Sequence, residues 1–428
     1  MRKLLLAGVA LAGVSAYLPT AAQAQSPVFP ETTRAGKLDG AAPGSVSVSI
    51  GGTLFSALWF QNSSGNKDDG ATVQQPGFMT YVRLYPNFDY ASPSGIHFGW
   101  SAEIRSNTQG EGARPNTRNA DTLYWHSAFG YVSSTRFGKL SFGTPNGAIE
   151  ALSVGNGDDF NTGGWFGEYG MKTGNLIYVM GDAYDGWIPK QKIAYISPSF
   201  AGFTVGVSFM PNSTSMTNNG TYPSSYNAAA GIDPPGSGYS KNRIEVAARF
   251  ANTFGPVALK ADVGYATSGV LKGTAFGSTN YQDVSMLDVG LVLGFGGFSL
   301  EGHLDTGKFN YGFSDDGAPL GPLLTGAKST TAFSVAPEFT AGPLTIGASY
   351  YGITSFDDSD IGGTLGRKGS AYGLAAGGNF SVGPGVGVFL DALYGETKAA
   401  AGDTVALGGN PRNKYTASGL GIGTYFSW

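Results

Sequence analysis

Apolar and polar residues alternate along this chain with a period of two. Near the C-terminus Leu420, Ile422, Thr424, Phe426 and Trp428 fall on one face, and Gly421, Gly423, Tyr425 and Ser427 on the other. A period of two is the signature of a β-strand lying between two different environments. The same pattern recurs backwards through Val386, Val388, Leu390, Ala392 and Tyr394, through Tyr372, Leu374, Ala376 and Phe380, and through Leu344, Ile346, Ala348 and Tyr350. It continues in Thr331, Phe333, Val335 and Phe339, in Phe298, Leu300 and Leu304, and in Leu287, Val289, Leu291, Leu293 and Phe295. Further runs centre on Val263, Val246, Val207, Ile193, Leu140, Trp100, Val82 and Val48. In the run around Leu123, Trp125, Phe129 and Tyr131 the pattern does not separate two faces cleanly.

Seven of the junctions are short and rich in Gly and Pro, among them 91–95, 252–256, 296–297, 340–343 and 381–385. Such turns need positive φ or a fixed φ and spare an amide hydrogen bond. The other connections are long and polar, near 61–76, 107–121, 146–190, 211–241, 266–283, 310–328, 354–369 and 397–413. Seven hairpins with one first and one last strand make sixteen strands. Short turns at one end and eight long loops at the other are the asymmetry of outer-membrane barrels, periplasmic and extracellular respectively. The expected fold class is all-β: a transmembrane antiparallel β-barrel. Closure follows from solvation, because an open edge in hydrocarbon leaves a row of peptide groups unpaired at several kcal/mol each. At sixteen strands the lumen is too wide for side chains to fill, so it holds water.

Composition supports this. Charged residues make up 13%, about half the roughly 25% of soluble domains. There are 68 Gly, 22 Tyr and 27 Phe, yet mean hydropathy is −0.06. Low charge without hydrophobic blocks means that the two kinds of residue are finely mixed, as lipid-facing strands require. No segment has eighteen apolar residues in a row. The absence of cysteine removes disulfide scaffolds, thiol nucleophiles and zinc-thiolate sites.

The start of the chain reads as a secretory leader. Arg2 and Lys3 precede a mostly apolar stretch at 4–18, and small residues lead to a cleavage site expected after Ala24. The expected organisation is a leader at 1–24, a polar segment of no assigned role at 25–43 and the barrel at 44–428. Without Arg2 and Lys3 the chain has 24 basic and 30 acidic residues, a formal charge of −6, which argues against nucleic acid as a partner. The expected location is the outer membrane of a Gram-negative cell after export.

Two motifs carry a family resemblance. The stretch FGKLSFG at 137–143 resembles the strand that leads into the third loop of Gram-negative porins. The stretch KIAYISPSFAGF at 192–203 is similar to the strand-turn-strand that follows that loop in the same family. With the leader, the strand count and the terminal Trp428, the resemblance covers nearly the whole mature chain. It implies a general, trimeric porin whose third loop folds into the lumen. It also implies contacts with membrane lipid and lipopolysaccharide, with periplasmic chaperones and with the barrel assembly machinery. Tyr425, Phe426 and Trp428 resemble the C-terminal assembly signal. The family's Pro-Glu-Phe-Gly-Gly-Asp loop tip is missing; Gly157, Asp158, Asp159 and Phe160, then Gly163 and Gly164, stand there instead.

A diffusion pore selects by width and by the field at its narrowest point. The candidate acidic side is the 146–190 connection, with Glu150, Asp158, Asp159 and Glu168, and with Asp182 and Asp185 near its end. Parity places Arg83 and Arg105 inside, since Val82, Leu84 and Ile104 belong to the outward set. Lys192, Arg249 and Lys260 follow the same logic around the wall. The expected function is passive, non-saturating diffusion of ions and small hydrophilic solutes. The nearer alternative is a solute-specific porin for sugars or small anions, for which Trp59, Tyr81 and Tyr85 are candidate lumen aromatics.

An outer-membrane hydrolase fits less well, because His97, His126 and His303 lie on separate strands with no clustered Ser/His/Asp set. The same isolation argues against a metal site, and these histidines are expected as lumen or girdle residues. Asp357, Asp358 and Asp360 resemble the start of an EF-hand, but Gly369 stands at the twelfth position where Glu belongs. Gly419, Gly421 and Gly423 lie two apart in a strand and make no phosphate-binding fingerprint. No catalytic residue and no cofactor are expected. The segment ahead of the first strand is too short for the plug of an active transporter, and no fixed repeat marks a solenoid.

Overall fold

A computed structural model describes residues 41–63, 76–106, 123–155, 191–212, 240–270, 282–309, 326, 328–355, 369–398 and 414–428. Sixteen strands run in chain order: β1 Ser45–Ser63, β2 Gly77–Ala91, β3 His97–Ser106, β4 Leu123–Ser134, β5 Gly138–Gly143, β6 Lys192–Ile196, β7 Phe203–Asn212 and β8 Ser240–Phe254. They continue with β9 Val257–Val270, β10 Val284–Phe295, β11 Phe298–Lys308, β12 Thr330–Ala341, β13 Leu344–Ser355, β14 Gly369–Gly383, β15 Val386–Lys398 and β16 Lys414–Ser427. One short helix, α1 Ala148–Leu152, follows β5. Each strand pairs antiparallel with its sequence neighbours, and β1 pairs with β16 to close the barrel.

Alternation decides which side of the wall each residue takes. In β12 every second residue from Thr331 to Phe339 is exposed and every residue between is buried. In a protein that stands in lipid, that exposed set is the hydrocarbon face. It includes Leu287, Leu291, Phe333, Val335, Leu374, Leu390 and Ile422. The seven tight turns all lie at one end, and each has a glycine at positive φ, such as Gly296 (φ 63) and Gly385 (φ 70). A side chain is rarely accommodated in that backbone region. The ends meet at the same level: the Gly52 amide donates to the Trp428 carbonyl, and the Trp428 amide donates to that of Gly52, both at 3.1 Å.

The strand around Trp125 resolves the one ambiguous pattern. Glu103 pairs with Ser127 but Ile104 pairs with Trp125, so His126 is an extra residue in β4. This bulge flips the parity. Leu123 and Trp125 face outward, whereas Phe129 and Tyr131 beyond the bulge are buried on the inner side.

The inner wall is less uniformly polar than the alternation suggested. Phe55, Trp59, Tyr351, Phe389, Leu393 and Tyr425 form a buried inner cluster. Several of these rings lie flat on glycines of the next strand. A Cβ on Gly419 would meet the Trp59 ring, one on Gly423 the Phe389 ring, one on Gly387 the Tyr425 ring and one on Gly373 the Tyr351 ring. Phe55 and Phe389 stack with centroids 5.0 Å apart. These glycines therefore serve as a floor for aromatic rings.

Candidate functional site: the third loop and the wall it rests on

The two strands flanking the third connection are the shortest, with six residues in β5 and five in β6. The chain leaves the wall early there and turns inward. Helix α1 then packs against β6, β7, β8 and β9. It touches their inner positions, since Val205, Val207, Ile244, Val246 and Val263 beside those positions are exposed on the outer face. The described base of the third loop, 144–155, thus lies within the barrel.

Small residues make room for it. A Cβ on Gly206 would meet Leu152 and Ala148, and one on Gly264 would meet Ile149. Ile149 and Leu152 are buried by this docking. Polar contacts hold the helix N-terminus. The Ala148 amide donates to Ser208 Oγ at 3.1 Å, and Ser208 Oγ donates to Glu245 Oε2 at 2.6 Å. The Glu245 carboxylate also accepts from the Ala148 and Ile149 amides. Four amides at a helix start lack intrahelical partners, and an inward carboxylate is a suitable acceptor for them.

Past the helix the loop crosses to the next strands. The Val154 amide donates to Asp262 Oδ1 at 2.9 Å, and the Val154 carbonyl lies 2.9 Å from His303 Nδ1. A Cβ on Gly290 would strike Val154 and Asp262, and one on Gly155 would strike the carbonyls of Leu291 and Gly302. Beside these contacts stand Asp288 and Asp305, both buried. His303 Nε2 is 2.8 Å from Asp288 Oδ2 and 3.6 Å from Asp305 Oδ2.

Of the acids expected at a constriction, Glu150 is on α1, only 9% exposed, and accepts from Asn146 Nδ2 at 3.1 Å. Asp158, Asp159, Glu168, Asp182 and Asp185 lie outside the described residues, as do Asp357, Asp358 and Asp360. Arg83 and Arg105 both sit on the inner face and are directly paired across β2 and β3. Glu103 joins them. Arg105 Nε donates to its Oε1 at 2.6 Å, and Arg83 Nη1 is 3.7 Å from the same oxygen. A carboxylate between two facing guanidiniums offsets the like-charge repulsion of such a pair.

Lys192, Arg249 and Lys260 are also at inward positions, but on β6, β8 and β9, apart from the arginine pair. Trp59 and Tyr85 are inward and buried; the side chain of Tyr81 lies outside what is described. At the C-terminus Tyr425 faces inward, whereas Phe426 and Trp428 face outward. His97 Nδ1 lies 2.8 Å from Asp89 Oδ2, and Tyr131 donates to Asp89 Oδ1 at 3.0 Å. This cluster sits beside the β2–β3 turn.

The residues that seat the loop were not picked out by sequence reasoning. Ser208, Glu245, Asp262, Asp288 and Asp305 carry one available signal. Each of the first four is a polar or acidic residue at an inward position between two apolar ones, whereas Asp305 lies between Leu304 and Thr306.

The sequence matches the Gram-negative porin family over residues 7–400. No curated protein matches the chain. Among solved structures, OmpF of Salmonella typhi in complex with daunomycin aligns at a TM-score of 0.56 and 11% identity, covering 89% of this chain and 98% of that one. An anion-selective porin from Comamonas acidovorans aligns at 0.55 and 14% identity, covering 90% and 100%. A porin refined at 1.8 Å resolution aligns at 0.51 and 17% identity, covering 89% and 100%. At these identities the likeness concerns the fold, and the family match concerns the chain itself. Together with a closed sixteen-stranded wall, apolar outside and carrying the described base of the third loop within, they identify this chain as a member of the Gram-negative porin family: an outer-membrane channel for the passive diffusion of small solutes.

Proposed function

We propose that the channel is a general one, for ions and small hydrophilic solutes, with a transverse field at its narrowest level. The observation that carries this reading is the inward Arg83–Glu103–Arg105 group on β2 and β3, set against a third loop whose base rests on β6 to β11. Acids of that loop, Glu150, Asp158, Asp159 and Glu168, would form the negative side, and Arg83 and Arg105 the positive side. Lys192, Arg249 and Lys260 would extend the cationic wall. Such a field orients polar solutes and hinders apolar ones that cannot replace lost water.

Ion selectivity tests the assignment. In planar bilayers under a salt gradient, Arg83→Ala with Arg105→Ala is expected to shift the reversal potential toward cations. An unchanged potential would remove both arginines from the constriction. The sugar-specific alternative needs inner-wall aromatics open to solute, and Trp59 and Tyr85 are only 4% and 3% exposed. Block of the current by a sugar, saturating with concentration, would favour it; a linear dependence of flux on solute favours the general channel.

The working unit is proposed to be a homotrimer. A row of hydroxyls supports a subunit contact on the outer face. Ser56 pairs with Thr424 of β16 and with Thr80 of β2, and Ser56 Oγ lies 2.9 Å from Thr80 Oγ1. Polar groups in the hydrocarbon belt are better placed against protein than against lipid. Current closing in three equal steps would support the trimer; single full closures would count against it. The mature chain is proposed to begin after Ala24, which the N-terminal sequence of membrane-extracted protein tests directly. Its partners would be lipid and lipopolysaccharide in place, and chaperones and the assembly machinery on the way there.

A further inference from the structure

The wall under the third loop holds an unusual concentration of negative charge. Asp288 of β10 and Asp305 of β11 are direct partners in the ladder, and His303 sits two residues along the same face. Like charges placed opposite each other in a sheet repel. Asp288 is 1% exposed, Asp305 0% and His303 7%, so water screens them little. Asp262 of β9 lies against Asp288 as a third carboxylate. Among the described residues, both carboxylate oxygens of Asp305 lack a hydrogen-bond partner. Among the described residues, His303 alone forms ion pairs with Asp288 and Asp305. Arg249 faces Asp262 across the ladder, but no ion pair joins them among the described residues. Buried carboxylates in this state either take up a proton or need a cation.

His303 is prepared for one. Its Nδ1 lies 2.9 Å from the Val154 carbonyl, which only accepts, so Nδ1 carries the proton. A histidine that donates through one nitrogen to a backbone carbonyl presents the lone pair of the other, the usual arrangement of a metal-bound imidazole. That second nitrogen, Nε2, points between two aspartates. Without a positive charge there, a lone pair would face two carboxylates.

We propose that Asp288, His303 and Asp305 form a site for one divalent transition-metal ion of the zinc class, seated in the barrel wall beneath the base of the third loop. One donor atom from each residue lies within 4.8 Å of the others. Donors around a tetrahedral ion bonded at about 2.0–2.1 Å stand about 3.4 Å apart. The separations of 2.8 and 3.6 Å from Nε2 bracket that value. One nitrogen with two carboxylate oxygens suits zinc better than calcium, which takes oxygen ligands. The same imidazole touches Val154, so the ion would stiffen the ring that holds the loop base.

The test uses the untagged, detergent-folded full barrel, stripped with a chelator and dialysed. Titration with zinc chloride, desalting and atomic emission are expected to show about one zinc per chain, undiminished by excess calcium. His303→Gln and Asp305→Asn are each expected to weaken binding by more than about tenfold, since loss of even an outer-shell partner costs 10–100-fold. Glu396→Gln, far around the wall on β15, is expected to bind as the unaltered chain does. Gel mobility before and after heating reports folding. If neither ligand variant folds, the visible spectrum of Co²⁺ added to the unaltered protein decides. Intense bands of a low-coordinate site support the proposal, and the pale spectrum of hydrated Co²⁺ overturns it. Failure of the unaltered protein to retain zinc also overturns it and makes the occupant a second proton on His303. So does retention unchanged in both folded variants.

Discussion

Gly423 shows how tightly the inner wall is built. A Cβ there would meet the Ser56 carbonyl and the Phe389 ring, and the backbone oxygen cannot swing aside. Overpacking of this kind costs about 1–3 kcal/mol. Gly423→Val is therefore expected to lower the unfolding free energy of the detergent-folded barrel by that amount, read as a lower urea midpoint. Gly383, where a Cβ meets nothing within 4 Å, is the comparison site: Gly383→Ala is expected to leave the midpoint nearly unchanged. The outer face gives the opposite contrast. Leu291 is 42% exposed in the middle of β10, and arginine there would stand in hydrocarbon. Leu291→Arg is expected to destabilise the lipid-inserted barrel by about 2–4 kcal/mol, read from equilibrium unfolding in liposomes. Parity along the chain already separates these two kinds of position, because side chains in a strand point alternately to the two faces.

At the scale of elements, the described base of the third loop is held by side chains of four different strands. Ser208 and Glu245 take the start of α1, and Asp262 and His303 take Val154. Losing one partner of a buried hydrogen bond costs about 1–3 kcal/mol. Ser208→Ala together with Glu245→Ala is expected to free the helix from the wall. Open-channel current noise is expected to rise, with little change in the urea midpoint of the barrel itself. Quiet channels in the double variant would mean that the apolar seat of Ile149 and Leu152 suffices alone. The positions of strands and turns follow from alternation and from Gly and Pro clusters. The facing of β4 does not. One inserted residue, His126, reverses its parity without changing its composition, and only pairing with β3 reveals the slip.

At the scale of the molecule, closure removes every strand edge from the lipid, and it rests on β1 pairing with β16. Trp428 completes that seam through two backbone hydrogen bonds with Gly52, and its ring covers that glycine. Removing Trp428 is expected to lower the yield of heat-modifiable barrel on refolding into vesicles. Trp428→Phe, which keeps the backbone pair and a ring, is expected to restore most of it. Equal yields for all three chains would mean that the seam is complete without the last residue.

The sequence by itself determined that this chain is a two-faced strand wound sixteen times, and, outside β4, which residues face lipid. Those are consequences of a period of two and of turn chemistry, both local along the chain. Only the tertiary structure decided that Val154 meets His303, about 150 residues later, and that Asp288 and Asp305 stand opposite each other beside it. Parity assigns a residue to the inside or the outside of a wall. It does not say which inward residues meet across the lumen, because that depends on strand register summed around the barrel and on the path of a loop through it.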